Sequence, residues 1–200
     1  MQSKQQMFQQ QNNIQLKNKQ VILKEHNEIR RSVVPTARNM LKMVSYAYPL
    51  ACITCGENIL LSSQPKTWAE TIQVWNSQGS NFKYANSNDT LELYEYNQVW
   101  YNSYQVGCAV AYCPRNQYNY FYVCHYCPPG NNIMQVAAPY KSGPRCADCP
   151  DHCDKGLCTN PCRHRDAFPN CRNMKTLFGC RHSVVREKCA ATCKCNTQII

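Results

Sequence analysis

The residues of this chain most able to do chemistry are its cysteines, several of which stand two residues apart. Cys52 and Cys55, Cys124 and Cys127, and Cys146 and Cys149 share a spacing with which thiolates can grip zinc. Oxidised, the same thiols become cross-links. Sixteen cysteines in 200 residues is an even count, and ten of them fall at irregular intervals between Cys146 and Cys195. Cytosolic proteins rarely keep so many thiols. An oxidising compartment and a disulfide framework are therefore expected, with structural zinc as the rival reading.

Other chemistry is thinly supplied. Of five histidines, His26 falls on a helical face and His125 in a strand, and both read as structural rather than as ligands. No motif marks an unpaired, activated thiol nucleophile. The chain is expected not to be an enzyme and to need no cofactor.

The elements that must position these residues follow from composition. The hydrophobic share is 44%, but 13 Tyr and 16 Cys supply much of it, so a large aliphatic core is not expected. Cysteine density rises sharply after Pro144, which places a domain boundary there. A segment that short generally needs staples. The net charge of +10 is concentrated in residues 1–50 and 146–200. Such ends suit an acidic partner (a membrane surface, a glycan, the mouth of a cation channel) or simply favour solubility. No nucleic-acid-binding motif accompanies the charge, so no nucleic-acid partner is expected.

Residues 1–20, with eight Gln, read as a polar segment without fixed structure. They hold no apolar core of signal-peptide length, so export rests on the cysteines alone. Asn88-Asp89-Thr90 is a single glycosylation sequon. Ile22, His26, Ile29 and Val33 form one helical stripe, and Pro35 ends it. A second helix is predicted at Trp68–Trp75, stopped by Gly79. Val99–Tyr112 and Tyr118–Tyr126 are β-rich and flank a turn at 114–117, which predicts an antiparallel hairpin. Helices followed by strands give an α+β unit. Beyond Pro144 the best helical pieces are Thr176–Phe178 and Ser183–Cys189.

Several motifs carry a resemblance. His26-Asn27-Glu28-Ile29-Arg30-Arg31 with Pro35 to Leu41, then Cys55-Gly56-Glu57-Asn58-Ile59, then Tyr122 to Asn131, then Pro139 to Gly143 and Asp154 to Cys162 occur in order. The chain thereby resembles the cysteine-rich secretory proteins of the CAP superfamily, over about residues 21–200, and most closely the mammalian reproductive-tract type. The resemblance implies a CAP-type α-β-α sandwich over 21–143, a disulfide hinge over 144–160, and a helical, ShK-like module over 161–200. Between Met43 and Cys52 the chain is shorter than such relatives by a helix and a loop, which would leave apolar surface uncovered.

The resemblance also implies a bridge pattern. Cys52 would pair with Cys113, Cys55 with Cys127, and Cys108 with Cys124. In the hinge, Cys146 would pair with Cys153 and Cys149 with Cys158. In the last module the pairs would be Cys162–Cys195, Cys171–Cys189 and Cys180–Cys193.

CAP domains of this type present two histidines and two glutamates that can hold a divalent metal. Here Glu57 keeps its place, Gln78 stands for the second glutamate, Glu95 stands for a histidine, and the other histidine falls in the shortened stretch. No metal is therefore expected.

Function follows from the resemblance as an expectation. The protein would be a secreted monomer that binds and modulates ion channels in a sperm or epididymal setting. Arg163, Arg165, Phe168, Arg172, Lys175, Phe178 and Arg181 would make the contact. The alternatives are gamete adhesion through the CAP surface around Tyr120–Asn131, and sterol or lipid binding. Peripheral contact with a membrane surface is compatible with the charge.

Overall fold

The structure, a computed structural model, describes residues 4–45, 55–79, 84, 96–132 and 135–200. The sequon at 88–90, Cys52 and Glu95 lie outside them. Helix α1 spans Lys4–Ser32, so it begins far earlier than the sequence reading placed it. No Gly or Pro occurs before Pro35, and Gln, Lys, Met and Leu are good helix formers. A helix fixed by packing at its far end can propagate back through such residues. Residues 13–20 are all exposed, so propensity rather than burial carries that half. Arg30 and Arg31 in the last turn suit the negative end of the helix dipole.

Strands β1 (Val44–Ser45), β2 (Gly56–Ser62), β3 (Gln105–Tyr112) and β4 (Tyr120–Cys127) form one sheet in the order β1-β3-β4-β2. β1 runs parallel to β3, and the other pairs are antiparallel. Helix α2 (Trp68–Gln78) opens on a Thr67–Glu70 capping box and ends before Gly79. Ile22, Ile29, Trp68, Ile72, Trp75, Tyr122 and Tyr126 knit α1 and α2 to one sheet face. Each such fully buried side chain contributes roughly 1.5–3 kcal/mol.

β3 starts at Gln105 rather than Val99, and the reason is buried in α1. The Arg30 guanidinium, 1% exposed, donates to the carbonyls of Leu41, Gln98, Trp100 and Tyr101. Carbonyls held by a side chain are not available to a strand ladder. Gln98 instead closes a 3-10 turn over Tyr96–Gln98. β2 was not foreseen as a strand. Its pattern is mixed, because Asn58 and Ser62 point inward while Ile59 and Leu61 stay exposed.

The C-terminal part holds a two-stranded hairpin, β5 (Cys153–Asp154) with β6 (Leu157–Cys158). Gly156 sits at its turn with φ +86°, where a side chain would also press on Arg145. Helices α3 (Cys171–Phe178), α4 (Ser183–Lys188) and α5 (Ala190–Lys194) follow, gathered around Cys171, Val185 and Cys189. α3 begins five residues before the predicted Thr176.

Among the described residues seven disulfides close: Cys55–Cys127, Cys108–Cys124, Cys146–Cys153, Cys149–Cys158, Cys162–Cys195, Cys171–Cys189 and Cys180–Cys193. Cys113 is half-buried and makes no bridge among the described residues. Oxidised sulfurs offer no thiolate, so Cys55, Cys124, Cys127, Cys146 and Cys149 cannot serve the zinc reading in this state.

The segment after α1 laces the two parts together. Lys42 N–H donates to the Cys158 carbonyl, and Cys158 N–H donates to that of Met40, both at 2.8 Å. Arg38 pairs with Asp148 and Lys42 with Asp154, each at 2.5 Å. Leu41 and Ile199 pack with Cys146, Cys149 and Cys158.

Candidate functional site

The motif Cys55-Gly56-Glu57-Asn58 enters β2 beside the end of α2, which brings Glu57 and Gln78 to one cleft of about 490 Å³. Asn58, Asn97, Trp75 and Asn131 form part of its walls. A Cβ on Gly56 would come within 2.1 Å of Asn97 Oδ1, so the backbone must be bare there. Asn97 Nδ2 donates to Asn58 Oδ1 at 3.0 Å. The Trp75 indole N–H donates to the Ile59 carbonyl, which fixes that ring against β2.

The residues present fit a divalent metal poorly. Glu57 is the one carboxylate lining the cleft among the described residues, and its Oε2 lies 2.6 Å from His125 Nε2 on the neighbouring strand. Gln78 and the three Asn side chains are neutral amides. A stable site for such an ion needs several charged or imidazole donors converging in one shell. Among the described residues the three-residue clusters with metal-like geometry lie elsewhere, at Cys146, Cys149 and Cys158 and at Asp166, Cys171 and Cys189, and their cysteines are already bridged.

The seven candidate contact residues of the C-terminal part do not form one patch. Lys175 is tethered, its ammonium donating to the Thr192 carbonyl at 2.8 Å. Arg163, Arg165 and Arg172 line a groove between the two parts of the molecule. Phe178 and Arg181 lie at the turn from α3 to α4, where the Phe178 ring meets His182 at 5.6 Å between centroids. Phe168 is exposed near the groove's Pro169.

That turn carries apolar surface that packing would be expected to hide. Leu177 is 74% exposed and Phe178 59%, with Val184 exposed on α4. The bridges Cys171–Cys189 and Cys180–Cys193 hold this surface on short helices. Leu177, His182 and Val184 were not among the sequence candidates. The adjacent pair Leu177-Phe178 was the available signal, since one short helix with a single buried stripe cannot hide both.

The groove has a volume of about 1020 Å³. Tyr101, Tyr104, Tyr140 and Lys141 form part of the wall from the first part, and Arg163, His164, Arg165 and Arg172 part of the wall from the second. Burial raises the Tyr101 phenol and the charge of Arg172 opposes that shift, so the guanidinium acts across the groove. No local pattern signals this meeting, because residues some 60 positions apart, such as Tyr101 and Arg163, form it.

The surface around Tyr120–Asn131 divides by strand parity. Tyr122, Cys124 and Tyr126 are buried, while Phe121 and His125 are exposed beside Ile59 and Leu61 of β2.

Solved structures show the same fold. The chain matches "Na-ASP-1" at 23% identity and TM-score 0.57, covering 71% of this chain and 47% of that one. It therefore spans about half the length of that relative. It matches "BmVAL-1" at 21% identity and TM-score 0.56, covering 71% of this chain and 93% of that one. It also matches "Hookworm Platelet Inhibitor" at 19% identity and TM-score 0.53, covering 70% and 89%. At family level, "Cysteine-rich secretory protein family" (CAP) matches residues 35–126 and "Crisp" matches residues 146–200. With both signatures in order on one chain, on an α+β fold with a disulfide-rich C-terminal part, the protein belongs to the cysteine-rich secretory proteins of the CAP superfamily.

Proposed function

We propose that this is a secreted, non-enzymatic protein whose C-terminal domain binds and modulates an ion channel, in a sperm or epididymal setting. The observation that carries this reading is the exposed, disulfide-flanked turn of Leu177, Phe178, Arg181 and His182. An apolar knob beside a cation suits a pocket rimmed by carboxylates, and disulfides spare the entropy of ordering it on binding. Non-enzymatic action is supported by a cleft whose amides are neutral and whose single described carboxylate is engaged by His125.

The test is extracellular application to a panel of cation channels under voltage clamp. Phe178→Ala should weaken block about 30-fold, as a hot-spot aromatic does, and Arg181→Gln should slow the onset. Point variants are needed rather than removal of residues 146–200, because Leu41 packs against that segment and truncation would expose it. Unchanged block by both variants would sink the reading.

A second reading, adhesion to a gamete-surface protein through the CAP domain, is favoured by the exposed sheet face of Ile59, Leu61 and Phe121. Leu61→Lys with Phe121→Lys should abolish cell binding while leaving channel block intact. Sterol or lipid binding has less support. The cavity bounded by Ile29, Val33, Trp75 and Val99 holds about 200 Å³, below the roughly 300–1,000 Å³ of ligand pockets.

A further inference from the structure

The groove between the CAP part and the cysteine-rich part has a charge imbalance that the fold does not use. Arg163, Arg165 and Arg172 line it, and none of these guanidiniums has a hydrogen-bond or ion-pair partner among the described residues. The one acid on its wall among the described residues, Asp166, is spent. Asp166 accepts from the Thr192 amide at 2.9 Å and from the Thr192 hydroxyl. Lys141 on the opposite wall shares Asp148 with Arg38. The groove therefore presents a surplus of unneutralised planar cations, a state that favours a polyanion.

The rest of the lining says which polyanion. Between the charged groups lie the rings of Tyr104, Pro128 and Pro129 and the side-chain amides of Gln105 and Gln135. Flat apolar surface beside amides suits rings that carry hydroxyls on their edges, and guanidinium forks suit sulfate oxygens. A run of carboxylates on a polypeptide would use the cations and leave the rings and amides idle.

We propose that this groove binds a sulfated polysaccharide, with Arg163, Arg165 and Arg172 on the sulfates and Tyr104 against a sugar face. The site is separate from the Phe178 turn and does not depend on the channel reading. It joins both domains, so a bound chain would also stiffen one against the other.

The experiment uses the full chain and heparin as the probe, with affinity measured by calorimetry across a salt series. The variant Arg163→Gln/Arg165→Gln/Arg172→Gln is compared with Arg115→Gln/Arg186→Gln/Lys194→Gln, which removes equal charge from exposed positions off the groove. Loss of three charge-assisted contacts should weaken heparin binding on the order of 100-fold and flatten the slope against log salt by about two to three. The control should lose only a few-fold. Tyr104→Ala, with charge unchanged, should also weaken binding. Equal losses in the two triple variants would overturn the proposal as mere cation exchange. Competition by poly-glutamate as strong as heparin's, at matched charge, would overturn it in favour of an acidic polypeptide.

Discussion

Glu57 and His125 stand directly opposite each other on β2 and β4, with Oε2 and Nε2 2.6 Å apart. Their side chains are 44% and 59% exposed, so solvent screens the pair. Glu57 is thus occupied by a neighbour that the family's metal tetrad does not include. A double-mutant cycle with Glu57→Gln and His125→Gln should give a coupling of about 0.2–1 kcal/mol in thermal melts, shrinking in high salt. A coupling of several kcal/mol would mean the pair is a buried structural element after all.

Arg30 does what a strand would otherwise do for residues 98–101. Burial lowers its guanidinium from 12.5 to about 9, so it stays charged at neutral pH, and four carbonyls share that charge. Arg30→Met would take their donor from the buried Leu41 and Gln98 carbonyls, while those of Trp100 and Tyr101 would keep only the Ser103 and Leu41 amides. The expected cost is about 3–5 kcal/mol in denaturant unfolding followed by Trp fluorescence. Arg30→Lys should recover less than half, since one ammonium cannot match the fork. Near-neutral behaviour of Arg30→Met would show that water takes over the carbonyls.

The stripe of α1, the hairpin of β3 and β4 and helix α2 were legible because each rests on local periodicity. Ile22, His26 and Ile29 repeat at helical spacing, and Tyr122, Cys124 and Tyr126 alternate. Two other features were not. The start of β3 depends on a side chain 68 positions away, since Arg30 claims the Gln98 carbonyl. The partner of Glu57 is set by strand register, and His125 was read as a plain strand residue. Likewise, seven charged and aromatic residues looked like one contact set in a disulfide-rich tail. The fold sends Arg163, Arg165 and Arg172 to the groove, Phe178 and Arg181 to the α3–α4 turn, and ties down Lys175. Composition identifies candidates, but only the path of the chain sorts them into surfaces.

His26 makes stability depend on pH. Its Nδ1 faces the Ile22 carbonyl and its Nε2 the Tyr126 hydroxyl, so the neutral ring donates to one and accepts from the other. Burial, with a smaller contribution from the charge of Arg30, lowers its pKa from 6.5 to about 4, against the opposing Ile22 bond. The unfolded chain takes up this proton near pH 6.5, whereas the folded chain refuses it until about pH 4. Stability is therefore full above pH 6.5 and falls as pH drops toward 4, by about 3 kcal/mol in all. In His26→Gln this component should vanish, so the difference between wild-type and variant stability should narrow across that window. Curves that stay parallel would mean His26 is already protonated in the fold.

The bridges of the last module differ in what surrounds them, and that should rank their contributions. Cys171–Cys189 closes 18 residues of sequence and Cys180–Cys193 closes 13, so loop entropy alone gives each about 3 kcal/mol and separates them by only a few tenths. Burial separates them further. Cys171 and Cys189 are 2% and 0% exposed and form the centre of the module with Val185, whereas Cys180 and Cys193 are only half-buried. Replacing the first pair by alanines removes both the cross-link and core volume, so it should cost a further 1 kcal/mol or more. Residues 146–200 contain no Trp or Tyr, so fluorescence cannot report this loss. Hydrogen exchange can. In Cys171→Ala/Cys189→Ala the amides of α3 to α5 should exchange at least ten times faster than in Cys180→Ala/Cys193→Ala, while β3 and β4 stay protected in both. Equal exchange in the two variants would show that loop closure, and not the buried sulfur core, holds the module together.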